Sequence, residues 1–400
     1  MIRKSLYLIL FTFLTWPALN GQVFIEPYYT GNGARSSGMG KAFTGLANDA
    51  TAIAWNAAGL IQLNTAQSCV AARFGYGSVG IDKLPVQQVN QWDVEINSWS
   101  HLNFIGMGFS QQFGETRIGG GLAFRRIYNL TRELKNTIRG PAIGDSTLVN
   151  INNVNGSLDA LSIALAFEIF KSFSIGVTNN ILFGGEDRFE DVSYNNESVL
   201  NFLRRESFSF SGYSAEIGLM FIPIESFTLG ANLRMPYSIS ANSDQNENFT
   251  IEMPFNYTMG MAFSPFNRLT LTGDFGFQAV SSVKIDGIEA EAVNGLKDNH
   301  SVHAGIEYHF ESGQSSYPLR FGYYRNSGTK SIYNPDYAIT GGAGMSVNNF
   351  QLNLALEYAF CRYNERSEFD DFNPPLILDA QKKFKEFKIT VEVLVYFVGI

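Results

Sequence analysis

The feature that most constrains the fold is an alternation of apolar and polar residues that recurs along most of the chain. Within residues 267–281, Leu269, Leu271 and Phe275 fall on one face, whereas Thr270 and Thr272 fall on the other. Side chains of a β-strand point to opposite faces in turn. After residue 21, no stretch of the chain offers about 18 consecutive apolar residues, so helices that cross a membrane are excluded. The pattern therefore predicts an all-β chain of two-faced strands.

The pattern predicts fourteen strands, whose connections are alternately short and long. The short ones lie near residues 114, 171, 224, 266, 314 and 348, and most of the others exceed fifteen residues. A transmembrane barrel has tight turns at one end, longer loops at the other and an even number of strands. The expected strands are 67–80, 100–113, 116–130, 157–170, 172–184, 206–222, 226–241, 249–265, 267–281, 299–311, 317–327, 336–347, 349–363 and 384–397.

Composition supports a membrane barrel over a soluble sheet protein. Charged residues make up 16% of the chain and aromatic residues 14%, while soluble domains carry about 25% charged residues. The net charge of −8 argues against a nucleic-acid partner. The fold class predicted is an outer-membrane β-barrel of about fourteen antiparallel strands, 67–400, with a small helical plug in its lumen. Cys69 and Cys361 fall at strand positions whose side chains are expected to face the lumen, and whether they form a disulfide is left open.

The amino terminus has the pattern of a secretory signal peptide. Arg3 and Lys4 precede an apolar run over 5–16, and small residues follow. That run is too short to span a bilayer as a helix, which takes about 20 residues. We therefore expect residues 1–21 to be removed and the mature chain to be exported.

Residues 22–66 precede the first strand and are expected to plug the barrel. The side chains of an eight-stranded barrel just fill its interior, so a barrel of about fourteen strands leaves an unfilled space. The segment is rich in glycine and alanine, which let a backbone pack closely against a wall. Among these small residues, Phe24, Phe43 and Trp55 are the expected ligand-binding side chains beside an apolar pocket.

No catalytic, cofactor or metal site is expected. The stretch GMGK looks like a phosphate loop, but Arg35 stands where that loop needs glycine and Ala42 where it needs Ser or Thr. His303, Glu307 and His309 lie on the same face of one predicted strand, and we interpret them as polar lining of the lumen. The chain is thus predicted to be no enzyme.

The segment GARSSGMGKAFTGLANDATAIAWNAAGL resembles the N-terminal hatch of the FadL-type outer-membrane long-chain fatty acid transporters. The family's small-residue stretch, its acidic turn and its Asn-Pro-Ala-Gly turn have counterparts here, and the second half of the chain also resembles the family. Ala57 replaces the family's proline, which puts any gating by a rigid turn in doubt. The hatch and gating motif carried over by this resemblance consists of Gly38, Gly40, Asp49, Asn56, Ala57, Ala58 and Gly59.

This resemblance implies passive uptake of long-chain fatty acids or other hydrophobic small molecules at the bacterial cell outer membrane. It implies contact with outer-membrane lipid, no cofactor and a monomeric barrel. The family is known for a side opening at its third strand, and the third strand predicted here contains Gly119, Gly120 and Gly121. Those glycines either kink the strand and form a lateral opening, or make room for plug contacts.

A second family has a similar start. The PorV-like barrels, which serve protein secretion and surface attachment, share an SGMG…WN pattern. Trp55 and Asn56 favour that alternative, whereas Gly59 and Leu60 favour the transporters.

Overall fold

The computed structural model describes residues 31–83, 91–139, 147–194, 202–245, 248–289, 297–328, 336–369 and 376–397. Its dominant element is one closed antiparallel barrel of fourteen strands, which confirms the predicted fold class. In ring order the wall strands are β1, β3, β4, β6, β7, β8, β9, β12, β13, β16, β17, β18, β19 and β20. The ring closes where Ala66 of β1 pairs with Phe397 of β20, so both strand ends lie at the same end of the barrel.

The remaining strands prolong wall strands or form a small hairpin. The bounds are β1 Ala66–Lys83, β2 Gln91–Ile96, β3 Trp99–Phe113, β4 Thr116–Asn129, β5 Arg132–Arg139, β6 Thr147–Phe170, β7 Phe173–Tyr194, β8 Phe202–Ile224, β9 Phe227–Arg234, β10 Tyr237–Ser243, β11 Phe249–Met253, β12 Asn256–Phe266, β13 Leu269–Gln278, β14 Lys284–Ile285, β15 Ile288–Glu289, β16 Asn299–Ser312, β17 Ser315–Asn326, β18 Tyr337–Val347, β19 Phe350–Phe369 and β20 Leu376–Phe397. In the described part of the chain, no helix is long and apolar enough to cross a membrane.

The wall has an apolar outside and a polar or small-residue inside. On β19, Leu352, Leu354 and Leu356 point outward and are exposed, while Asn353 and Glu357 on the alternate face are buried inside. Because lipid contacts one face and the lumen contacts the other, this inversion of the soluble pattern is the signature of a membrane barrel.

Several connections predicted as loops are largely strand. Residues 147–156 prolong β6, 185–194 prolong β7, and 376–383 prolong β20. These extensions rise past the apolar band, where no lipid requires apolar residues on the outer face, so the alternation that marks a lipid-facing strand is lost. Two predicted strands are each divided, at Pro236 and at Pro254, because proline cannot donate a ladder hydrogen bond.

Residues 31–65, called the hatch below, lie inside the barrel. They contain helix α1 (Ala34–Gly38), helix α2 (Ala52–Trp55) and a 3-10 helix (Ala57–Gln62). Hatch residues such as Ile53 and Leu60 share one buried core with inward-facing wall residues such as Ala164 and Ala166. The signal-peptide prediction and Phe24 fall outside the described residues. Cys69 and Cys361 are buried on strands that β20 separates, and the two are not joined by a disulfide.

Candidate functional site

The hatch touches the wall where both sides are small. Gly40 has φ +64°, and a Cβ there would lie 2.6 Å from the carbonyl oxygen of Ala304 and from the nitrogen of Tyr323. No other residue type fits such a gap without displacing backbone. Wall glycines that face the hatch at comparably short range are Gly176, Gly218, Gly230, Gly260, Gly305 and Gly322.

An ion-pair network fastens α1 to the wall. The Arg35 guanidinium donates to both carboxylate oxygens of Glu307 on β16, at 2.7 and 3.0 Å. Glu307 also accepts from Arg320 of β17 at 2.6 Å, and Arg35 lies 3.3 Å from Asp49. Burial alone would lower the pKa of Arg35, but Glu307 and Asp49 hold it above its ordinary value. Because water is almost excluded from this network, removal of one charged side chain leaves its partner as a buried, uncompensated charge.

A second ionic contact centres on Lys41. Its ammonium lies 3.3 Å from a carboxylate oxygen of Glu357 and 4.5 Å from the centroid of the Tyr324 ring. Burial, assisted by Lys388 and Arg73, lowers the pKa of Lys41 to about 7 although Glu357 opposes the shift. Keeping Lys41 protonated inside the barrel therefore costs free energy and weakens docking of the hatch.

Backbone groups of the hatch are also held by wall side chains. Asp274 accepts from the amides of Phe43 and Thr44 at 3.0 and 2.8 Å. Glu392 accepts from Ala34 at 2.7 Å, and His303 Nδ1 contacts the Gly40 carbonyl oxygen at 2.8 Å. His303 and Glu307, expected only as polar lining, thus bind the hatch.

The hatch motif shapes turns. The Asp49 carboxylate accepts from the Thr51 amide at 2.9 Å, ahead of α2. Asn56 Oδ1 accepts from Ala58 at 3.2 Å, and its amide nitrogen donates to the carbonyls of Thr44 and Leu219. Ala57 is the first residue of the 3-10 helix. The side chain of Asn56 thus ties this turn, which lacks the proline, to the hatch and to β8. Gly38 packs against Gly342, and Gly59 against Ala47.

A cavity of about 90 Å³ lies between the hatch and strands β9, β12, β13, β16 and β17. Its lining is mostly polar and includes Lys41, Trp55, Arg234 and Tyr257. Of the expected ligand-binding side chains, Trp55 lines this cavity, and Phe43 is fully buried beside it with the two rings 6.0 Å apart. Ligand contact by these side chains stays a prediction.

The lumen beyond the hatch, toward the long connections, contains a set of buried aliphatic and aromatic side chains that we call the upper cluster, bordered at Phe208 by the guanidinium of Arg188, which pairs with Glu186. Its rings contact one another, as Phe208 and Phe249 do at 5.5 Å. Its buried members are Ile127, Tyr128, Leu130, Val154, Leu158, Ala160, Leu182, Phe208, Phe210, Tyr237, Ile239, Ala241, Phe249, Ile251, Met253, Val280 and Val283.

The backbone ladder of the wall is interrupted next to this cluster. Strands β3 and β4 pair from Phe113↔Thr116 to Phe104↔Arg125, and pairing resumes only between β2 and β5. Between these points no ladder joins residues 98–103 to residues 126–131, all of which the structure describes. We call this interval the wall break. Extra residues bend both edges: Asn103 bulges from β3 and Ile127 from β4.

The wall break lies at the edge of the apolar band. Leu102 points outward there and is exposed, as is Phe74 on the neighbouring strand β1. On the inner side, Trp99 stacks on His101 with ring centroids 5.0 Å apart. Asn103 accepts from the Gly33 amide at 3.0 Å and donates to the Gly31 carbonyl at 3.1 Å. One edge of the break thus holds the start of the hatch.

The predicted lateral opening at Gly119, Gly120 and Gly121 is not where the ladder is interrupted. All three pair with β3 on one side and β6 on the other without a register shift. A Cβ on Gly119 would lie 2.9 Å from Leu60, and one on Gly121 2.5 Å from Ile53. Gly119 and Gly121 therefore leave space for the hatch, which was the other interpretation of this stretch, and an opening at this stretch stays a prediction.

The fold matches that of outer-membrane channels for hydrophobic compounds. The toluene transporter TbuX of Ralstonia pickettii superposes with a TM-score of 0.60 at 11% identity, over 92% of this chain and 99% of that one. A FadL homologue of Pseudomonas aeruginosa gives 0.60 at 10% identity, over 92% and 98%. The toluene transporter TodX of Pseudomonas putida gives 0.58 at 13% identity, over the same shares.

These matches confirm the resemblance to FadL-type barrels at the level of the fold. No protein-family model matches the chain, and no curated protein matches its sequence.

Proposed function

We propose that this chain is a passive outer-membrane transporter for hydrophobic small molecules, with long-chain fatty acids among the candidates. The observation that carries the proposal is the continuity between the upper cluster and the wall break. Ile127, Tyr128 and Leu130 belong to both. A ligand that enters among the long connections meets apolar side chains up to the point where the ladder is interrupted.

The route straight through the barrel is the less favourable one. It passes the hatch and the network of Arg35, Glu307 and Arg320, where the lumen is ionic and closely packed. Each CH₂ group gains about 0.8 kcal/mol in apolar surroundings. A hydrocarbon therefore loses most by the axial path, and we propose lateral release into the membrane at the wall break.

The cavity beside Trp55 supports only a small occupant. A void of about 90 Å³ is smaller than the engineered 150 Å³ cavity that binds benzene. It has room for only part of a ligand, so the upper cluster is the proposed place for a longer chain.

The test is uptake by the purified full-length protein in liposomes, with toluene and oleate as separate probes. Deletion of Ile127 removes the bulge and should allow β4 to pair regularly. The matched control deletes Ile169, which bulges from β6 near a short turn at the opposite end of the wall. Uptake should fall with the first deletion alone, while both barrels keep their heat-modifiable migration on gels.

The outcomes separate the two parts of the proposal. Uptake of neither probe above protein-free liposomes would overturn transport. Normal uptake by the folded Ile127 deletion would overturn lateral release while leaving transport intact. Co-purification of export proteins from cells, without uptake, would instead support the PorV-like alternative. Trp55 and Asn56, which favoured it, have structural roles: Trp55 Nε1 donates to the Asn32 carbonyl at 2.9 Å.

A further inference from the structure

The outer surface of the barrel carries basic side chains in one sector. Arg362 on β19 lies directly opposite Lys383 on β20, and Lys385 follows two positions along the same strand. Arg325 of β17 lies in the same row across the sheet. It pairs with Tyr337 of β18, and the row continues through Phe360 of β19 to Lys385 of β20. We call Arg325, Arg362, Lys383 and Lys385 the outer basic patch.

The outer basic patch lies one to two outward positions above the aromatic edge of the apolar band. Tyr358, Phe387 and Tyr76 form that edge in register on three adjacent strands. The next outward positions are Phe360 and Lys385, and the ones after them are Arg362 and Lys383. Aromatic side chains occupy the headgroup boundary of membranes. The cations therefore stand at the level of lipid headgroups on the long-connection side.

The geometry of the patch suits phosphate groups. Neighbouring strands lie about 4.8 Å apart, and same-face residues of one strand about 6.6 Å apart, so Arg362, Lys383 and Lys385 converge on one small area. The Arg362 guanidinium lies 5.9 Å from the centroid of the Phe360 ring, and its side chain is 56% exposed. A planar guanidinium flanked by ammonium groups is the usual donor set for phosphate.

One carboxylate moderates the patch. Asp82, at the end of β1, contacts Lys383 at 2.9 Å and Arg362 at 3.2 Å. Among the side chains that the structure describes, Asp82 is the acid in contact with these cations, so their positive charge is only partly compensated there. Substituting Asp82 should therefore strengthen the attraction of an anion, a sign that a purely structural role of these cations would not produce.

The sector made by β7 and β8 differs at the same height. Its first two outward steps above Tyr213 are Phe183 with Ser211 and Gly185 with Ser209. The third pairs Asp187 with Ser207, whose hydroxyl donates to that carboxylate at 2.7 Å. In its described residues, the β7–β8 sector thus lacks cations at the height of the outer basic patch.

We propose that the outer basic patch binds the phosphate groups of the glycolipid in the outer leaflet, and so gives the barrel a fixed anionic lipid neighbour. Clustered basic side chains at headgroup level attract anionic lipids in this way. This inference rests on the outer-membrane placement of the barrel and is independent of what the barrel transports.

The test is native mass spectrometry of the detergent-solubilised full chain with diphosphorylated, monophosphorylated and phosphate-free lipid A. The patch variant combines Arg362→Gln, Lys383→Gln and Lys385→Gln. A control of equal charge change combines Lys135→Gln, Lys171→Gln and Arg268→Gln, which lie away from the patch. Each basic residue near an anionic surface contributes about fivefold, so on the order of a hundredfold loss is expected for the patch variant alone.

Three further results decide the matter. Asp82→Asn should bind the diphosphorylated lipid more tightly than the natural chain. If millimolar inorganic phosphate displaces the lipid fully, the patch is a site for free anions, and the lipid assignment is overturned. Equal retention of the three lipids, or equal loss in the patch and control variants, would overturn the proposal altogether, since heat-modifiable migration reports folding of each variant.

Discussion

The hatch and the upper cluster, which lie in the two halves of the lumen, are held together by different kinds of contact. The hatch meets the wall through charged side chains, wall carboxylates and glycines, and Arg35 and Lys41 are its two cationic contacts. The upper cluster consists of aliphatic and aromatic side chains that pack against one another. Both regions are buried and both reach the wall break, the hatch through Asn103 and the upper cluster through Ile127. The difference teaches that polar contacts fix the hatch to the wall, whereas apolar contacts fill the lumen on the other side of the break.

Removing one charge should affect the hatch most. Glu307→Leu leaves Arg35 and Arg320 buried without that carboxylate, which costs on the order of 3–5 kcal/mol. We expect hydrogen exchange of the hatch amides to rise by two orders of magnitude or more, and channel conductance in planar bilayers to increase. As a control, Glu311→Gln breaks the exposed pair with Arg268, where at most about 1 kcal/mol is at stake. Equal exchange in the two variants would contradict the comparison.

A truncation in the upper cluster should act on the barrel and leave the hatch docked. Leu158 is completely buried, so Leu158→Ala removes apolar contacts at a cost of about 2–5 kcal/mol. We expect a lower unfolding midpoint in urea, with hatch exchange unchanged. Leu161→Ala, on the outward face of the same strand, serves as the lipid-facing control. Loosening of the hatch by Leu158→Ala would show that the two regions are coupled.

Crowding the close approach at Gly40 should weaken docking to a smaller degree. Gly40→Ala adds a methyl group 2.6 Å from wall backbone at a positive φ, a change that costs about 1–3 kcal/mol. Gly273→Ala is the matched control, because its new methyl group would approach nothing closer than 3.8 Å. Hatch exchange should rise for the first variant, and similar exchange in both would refute the tight-contact argument.

Docking of the hatch should also respond to pH through Lys41. Its pKa is about 7 when docked and about 10.4 when free, so docking releases a proton between these values. Below about pH 7 both states are protonated, so Lys41 gives docking no slope with pH and docking bears the full cost of the buried charge. As pH rises from 7 toward 10, docking becomes more favourable, and hatch exchange corrected for its intrinsic rate should fall. Lys41→Met should remove that slope, and a slope that persists would assign it to another group.

The smallest effect is expected at the turn that lacks the family's proline. Ala57 begins the 3-10 helix, a position that suits proline, so Ala57→Pro should stabilise docking by about 0.4–1 kcal/mol. Ala58→Pro removes the amide that donates to Asn56 and should weaken docking instead. A loss in both variants would mean that the turn needs the freedom that alanine gives it.

The strand pattern of the wall could be predicted because lipid imposes it. Within the apolar band, the outward positions of β13 and β19 carry apolar or aromatic residues or glycine, so periodicity alone located these strands. The extensions of β6, β7 and β20 escaped prediction, since no lipid enforces alternation there. The bulges at Asn103 and Ile127 also escaped, because one inserted residue in a strand leaves almost no trace in such a pattern.

The plug could be predicted from its small residues, but its fastenings could not. Arg35 and Glu307 are 272 positions apart, and only the barrel register brings them together. The glycines at 119–121 show the converse. Their composition suggested a kink, whereas the structure shows Gly119 and Gly121 beside Leu60 and Ile53 of the hatch.

The position of the hatch in the chain has a consequence for how the molecule is assembled. The hatch is synthesised before every strand, yet Glu307, Glu357 and Glu392, which hold it, belong to the last 100 residues. Glu392 lies on β20, the strand that closes the ring against β1. The ionic contacts of this early segment can therefore form only once the last strands are in place, although Asn103 of β3 already holds its start.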